Sequence, residues 1–128
     1  MIADTLARWH EIVRTRDAPG LDALLADAVV FHSPVVHTPQ AGRLLTARYL
    51  AAALEVLGRG EFRYVREIVG ARDAALEFEC QVDGIFVNGV DLIRVDDAGR
   101  IVDFKVMLRP LKAVNVVREQ MAARLARG

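Results

Sequence analysis

One carboxylate, Asp91, interrupts an apolar strand face in the run Val90-Asp91-Leu92-Ile93-Arg94-Val95-Asp96-Asp97-Ala98-Gly99-Arg100-Ile101-Val102-Asp103-Phe104-Lys105. The run reads as two β-strands joined by a tight Asp-Asp-Ala-Gly turn. A charge on such a face is costly to bury unless it is hydrogen-bonded, neutralised or used. Apolar surroundings should raise the Asp91 pKa, which suits a general acid or a hydrogen-bond donor. The competing reading is structural: Asp91 stays ionised and accepts the Trp9 indole N–H and a backbone N–H. Trp9 is either a donor to a ligand oxygen or a core aromatic whose N–H finds a partner. Ser33 could orient a ligand or a water, but as a nucleophile it lacks a neighbouring base and orienter. His37 could act as an acid or base from its loop, or simply be solvated. His32 alternates with Phe31 and Ser33 and so points away from them, and His10 lies off the apolar stripe of the first helix and reads as surface. No two histidines have ligand spacing, so no metal site is expected.

The elements that must position these groups follow from periodicity. Ile2, Leu6, Trp9 and Val13 recur at helical spacing. Asp17 caps a short second helix that tolerates Pro19 and turns Leu21, Leu24 and Leu25 inward. Val29 to Ser33 form a strand closed by Pro34, and residues 34–42 form a loop. Leu45, Tyr49, Leu50, Ala53, Leu54 and Leu57 mark a third helix, stopped by Gly58 and Gly60. From Glu61 the period becomes two: Phe62, Tyr64 and Ile68 share one face of a strand. Leu76, Phe78, Cys80 and Val82 then alternate with Glu77, Glu79, Gln81 and Asp83. Asp83-Gly84 turns into the next strand, with a break expected near Asn88-Gly89. The polar row Glu77, Glu79 and Gln81 belongs to the outer face, where Arg63, Arg66, Arg94 and Lys105 can pair with it. Beyond Pro110, Val114, Val117, Met121 and Leu125 stripe a terminal helix that must cover something apolar, with a dimer interface the preferred place for it. Helices first and a strand meander after give the α+β class, an antiparallel sheet with helices on one face.

At 128 residues the chain is one domain, and its 53% hydrophobic and 27% charged residues are ordinary for a folded protein. Lys+Arg and Asp+Glu both number 17, so nothing in the balance points to nucleic acid. The single Cys80 fits a reducing compartment, and no signal segment or apolar span is visible, so a cytoplasmic protein with no membrane role is expected.

Three features together resemble a known superfamily: the first-helix stripe, the run Gly20-Leu21-Asp22-Ala23-Leu24-Leu25-Ala26-Asp27 leading into a strand that ends Ser33-Pro34, and the Asp91-to-Lys105 hairpin. Over residues 2–109 the chain resembles the nuclear-transport-factor-2-like superfamily in its SnoaL-like (polyketide-cyclase-like) branch, with distant similarity to ketosteroid isomerases. The resemblance implies a cone, a curved sheet wrapped around three helices with an apolar pocket inside, a C-terminal helical extension over 111–127, and a homodimer formed through the sheet. In the isomerases the base is an Asp just before the Pro that closes the first strand, where this chain has Ser33. Their oxyanion donors are a Tyr on the first helix and an Asp on the penultimate strand, where this chain has Trp9 and Asp91. Ketosteroid isomerase is the known example of a carboxylic acid kept protonated by an apolar site. Ser33 has no useful basicity near neutral pH, so the familiar isomerase mechanism is not expected.

Strand phase then lines the pocket with Phe31, Ser33, Phe78, Cys80 and Asp91, followed by Ile93, Phe104, Val106 and Leu108. Trp9 and Tyr49 enter from the helices, and the His37 loop rims the mouth. Such a wall suits a small apolar or aromatic molecule. Two functions stay open. One is cofactor-independent isomerase, cyclase or dehydratase chemistry on an apolar carbonyl compound, with Asp91 as acid or donor, Trp9 assisting, and Ser33 or His37 positioning substrate or water. The other is a non-catalytic small-molecule-binding or dimerisation domain.

Overall fold

A computed structural model describes residues 1–127. Helix α1 spans Ile2–Thr15 and buries Ile2, Thr5, Leu6, Trp9 and Ile12, one stripe at helical spacing. It ends at Arg16 in the left-handed conformation, φ 55°, whose N–H returns to the Ile12 carbonyl. Asp17 caps a single 3-10 turn, Ala18–Gly20, and the four-residue α2, Leu21–Leu24, follows. Strand β1, Leu25–His32, starts four residues earlier than periodicity predicts, because Leu25 is already extended and pairs with Ile101. The expected loop over 34–42 is interrupted by the two-residue strand β2, Gln40–Ala41, which pairs with Val30 and Phe31. Helix α3 is Arg43–Gly58.

Strands β3 (Arg63–Val69), β4 (Asp73–Val82), β5 (Ile85–Val95) and β6 (Ile101–Arg109) form the predicted meander, each antiparallel to the next. The six strands make one open sheet in the order β2-β1-β6-β5-β4-β3. The α+β class holds, with one correction: β1 lies parallel to β6, so the sheet is mixed rather than antiparallel. Asp83 and Gly84, φ 51° and 77°, take the two left-handed positions of the tight β4–β5 hairpin.

Two departures from the sequence pattern matter for the site. First, β5 runs unbroken through Asn88-Gly89. Gly89 is there for space: a Cβ would lie 2.4 Å from Phe78 Cζ, 2.8 Å from Leu108 Cδ2 and 2.9 Å from the Met107 carbonyl oxygen. Second, β3 carries a bulge. Tyr64 pairs with Phe78, yet Arg66 pairs with Glu77, so the ladder slips by one residue at Val65. Ile68, expected beside Tyr64 on the inner face, is flipped outward and is 65% exposed, while Glu67 turns inward opposite Leu76. On the outer face the expected ion pairs form between Arg63 and Glu79 (3.1 Å) and between Arg66 and Glu77 (2.9 Å), whereas Arg94 pairs with Asp73 (2.8 Å). Exposed pairs of this kind contribute little to stability.

Helix α4, Leu111–Ala126, buries Ala113, Val116 and Val117 against α3, β5 and β6. Of the expected stripe, Val117 is buried within the chain, while Val114, Met121 and Leu125 are half-buried. Replacing Gly89 by Ala should destabilise the fold by roughly 1–3 kcal/mol, since the new methyl meets a backbone carbonyl and a packed ring. Urea denaturation of Gly89→Ala against wild type reads this directly, and an unchanged midpoint would contradict the packing argument.

Candidate functional site

Between the inner face of the sheet and helices α1, α3 and α4 lies a cavity of about 640 Å³, within the usual range for small-molecule sites. Its walls are built from the middle rungs of the sheet: Phe78, Gly89 and Leu108 on one, Leu76, Asp91 and Val106 on the next. Of these, Phe78, Asp91, Val106 and Leu108 line the cavity, joined by Phe31 and Phe104. Leu50, Leu54 and Leu57 face them from α3, and Val117 and Met121 from α4.

The polar floor is a hydrogen-bond chain through three elements. The Trp9 indole N–H on α1 donates to the Tyr64 hydroxyl on β3 (2.9 Å), and that hydroxyl donates to Asp91 Oδ2 on β5 (2.6 Å). An indole N–H can only donate, so the Tyr64 oxygen accepts from Trp9, and its own proton goes to Asp91 Oδ2, its one acceptor among the described residues. The other carboxyl oxygen, Oδ1, has no partner among the described residues and is not sealed from the cavity that Asp91 lines. A proton carried by Asp91 is thereby left to Oδ1, facing the space a ligand would fill.

Burial decides the protonation state. Asp91 is 5% exposed, and desolvation raises its pKa from an ordinary 3.8 to about 7, against the opposing pull of the Tyr64 hydrogen bond. The Tyr64 phenol is pushed well above its ordinary value, first by burial and then by the neighbouring Asp91 charge. Tyr64 therefore stays a donor at any ordinary pH.

At the cavity edge, the inward turn of Glu67 brings its Oε1 to 2.9 Å from His10 Nε2. Both residues line the cavity, and the His10 ring meets Tyr64 edge-on with centroids 5.1 Å apart. His10, expected on the surface, is thus part of the wall.

Of the residues named from sequence, Asp91, Trp9, Ser33, Phe31, Phe78, Phe104, Val106 and Leu108 line the cavity. Cys80 and Ile93 do not: they sit on the rungs that flank it, where core side chains cover them to 2% and 1% exposure. Burial also lifts the Cys80 thiol to about 11, leaving it unreactive. Tyr49 lies one layer back, its ring 5.8 Å from Phe31. Ser33 Oγ accepts the Val35 N–H (3.1 Å), which folds Ser33, Pro34 and Val35 over the cavity. The rest of that loop turns to solvent and carries His37 with it, so His37 is exposed and outside the cavity. His32 points outward as expected and pairs with Asp103 (3.1 Å). Sequence reasoning passed over Tyr64, His10 and Glu67 as site residues. Tyr64 could be placed on the inner face, but its reach to Asp91 needed the register across three strands. Among the described residues no three His, Cys, Asp or Glu side chains are clustered to hold a metal ion, and no helix is long and apolar enough to cross a membrane.

The SnoaL-like domain model matches residues 6–104, and the chain belongs to that family. Among solved structures it is similar to a steroid delta-isomerase from Pseudomonas aeruginosa, with 41% identity over 98% of this chain and 92% of that one and a TM-score of 0.94. It is also similar to an uncharacterised bacterial protein with a cystatin-like fold from Silicibacter pomeroyi, 40% identical over 94% of this chain and 84% of that one, TM-score 0.88. An NTF2-like protein of unknown function from Mesorhizobium loti is 25% identical over 85% and 91% of the two chains, TM-score 0.76. No curated protein matches the sequence.

The raised Asp91 pKa has a stability consequence of definite sign. Below about pH 4 the folded and unfolded chains both hold the proton, and Asp91 costs nothing. Between about pH 4 and 7 the unfolded carboxyl ionises while the folded one keeps its proton, so the contribution of Asp91 falls by roughly 4 kcal/mol, then levels off. Urea denaturation of wild type and Asp91→Asn across that window should show wild type losing ground steadily as pH rises. A difference that does not change with pH would contradict the protonated carboxyl.

Proposed function

We propose that this chain is a cofactor-independent proton-transfer enzyme of isomerase type, acting on an apolar carbonyl compound held in the cavity. The observation that carries the reading is the Asp91 carboxyl, tied at Oδ2 to Tyr64 and open at Oδ1 onto an apolar space. A neutral carboxyl so placed donates a hydrogen bond to a carbonyl oxygen and strengthens it as negative charge develops there. Trp9 and Tyr64 hold that donor in one orientation, so no reorganisation is needed when the charge appears. The apolar wall strengthens the same interaction by excluding water. Similarity to a steroid delta-isomerase supports an unsaturated ketosteroid as the first compound to try.

A second reading, a cavity that binds without catalysis, draws on one residue: Ser33 supplies no base at the end of β1.

One experiment separates the two. With a β,γ-unsaturated 3-ketosteroid as probe, binding is read from the fluorescence of Trp9, the only tryptophan, which lines the cavity. Conversion is read from the absorbance of the conjugated ketone. Wild type should bind and convert, and Asp91→Ala should lose about 100-fold or more in kcat. Saturable binding with no conversion would overturn the enzyme reading in favour of the second, and absence of both would remove the ketosteroid from either.

A further inference from the structure

The proposed reaction needs a group that takes a proton as well as one that donates a hydrogen bond, and we infer that the His10–Glu67 pair is that proton acceptor, with His10 the base. This rests on the carbonyl reading above and deepens it. At the end of β1 the cavity offers only Ser33, so the acceptor must come from elsewhere on the wall.

The inference stands on the bulge in β3. Without the slip at Val65, strict alternation would turn Arg66 and Ile68 inward with Tyr64 and leave Glu67 outside. With it, Tyr64 and Glu67 both face inward, opposite Phe78 and Leu76. Bulges commonly re-aim a side chain beside a functional site. Glu67 Oε1 lies 2.9 Å from His10 Nε2. A carboxylate accepts from Nε2–H, and the tautomer it selects leaves Nδ1 as the nitrogen that can take a proton. That is the arrangement in which an acidic residue orients a histidine for general-base work. His10 also follows Trp9 directly in α1 and rests edge-on against Tyr64, whose hydroxyl is 2.6 Å from Asp91 Oδ2. The two halves of a proton-transfer site thus share one tyrosine. Arg14, one turn further along α1, is engaged with Glu11.

The step is balanced without a co-reactant. His10 Nδ1 takes a proton from the carbon beside the carbonyl, and the C–H electron pair becomes a C=C bond. The carbonyl π pair moves to oxygen, where it meets the Asp91 Oδ1 hydrogen. Return of the proton from the imidazolium, to the same carbon or to the far end of a conjugated system, restores His10 and releases product.

The test follows proton abstraction itself. In deuterium oxide, exchange at the carbon next to the carbonyl of 2-tetralone, an apolar bicyclic ketone, is followed by proton NMR. Wild type should accelerate exchange. His10→Ala should lose about 100-fold or more in rate, with the 2-tetralone affinity read by Trp9 fluorescence changing less than about twofold, and added imidazole should restore part of the rate. Glu67→Gln should lose less than His10→Ala and gain nothing from imidazole. Rescue by a free base is a response that a merely structural histidine would not give. Exchange that survives His10→Ala would overturn the assignment of the base alone. Failure of wild type to accelerate exchange would overturn the carbonyl reading together with it.

Discussion

An indole N–H has only a proton to offer, and a carboxyl group removed from water must be satisfied or neutral. Those two facts set the polarity of the Trp9–Tyr64–Asp91 chain and, through it, the chemistry of the cavity. Were Trp9 replaced by a group able to accept, the Tyr64 proton could point either way and Asp91 would have no fixed orientation. Because it cannot, one carboxyl oxygen is occupied and the other is left to the ligand. The three residues come from α1, β3 and β5, so the site exists only when helix and sheet are docked. Its stability cost above neutral pH is borne by the apolar core that surrounds it, as strained functional sites commonly require.

The sheet makes room for this arrangement by two local irregularities. Gly89 omits a side chain where the Phe78 ring lies, so the ring occupies that space and stacks on Phe62 with centroids 5.0 Å apart. The slip at Val65 places Tyr64 and Glu67 on the same face three residues apart. Helix α4 then lays Val117 and Met121 over the cavity from its own chain. A regular, unbulged β3 with a side chain at position 89 would give a better ladder and no site.

Much of this was legible in the sequence wherever a pattern repeats. The Leu76-Phe78-Cys80-Val82 alternation, the Ile2-Leu6-Trp9 stripe and the Asp96–Gly99 turn each announce their element, because burial of one face selects residues at a fixed period. Asp91 stood out for the same reason, as the exception to such a face. What could not be read is what a single residue of slippage does. Nothing in Arg63-Tyr64-Val65-Arg66-Glu67-Ile68 marks the bulge except that strict alternation would bury the Arg66 charge. Alternation alone therefore puts Ile68 inside, and the first-helix stripe alone leaves His10 on the surface; the contact with Glu67 needs the slipped register. The cavity's extent along the sheet was likewise hidden. Cys80 and Ile93 share a face with Phe78 and Asp91, but rung position rather than face decides which of them meets empty space. His37 failed for a different reason: the Ser33–Val35 turn carries only the start of its loop inward.

The central claim is that Asp91 holds a proton near neutral pH, and infrared spectroscopy can see that proton. Difference spectra between wild type and Asp91→Asn, taken as pH is raised, should contain the C=O stretch of one protonated carboxyl that disappears around the pKa of about 7. Loss of that band already near pH 4, the ordinary range of an aspartate, would mean the carboxyl is ionised and structural, and the account of the cavity as a proton-transfer site would fail.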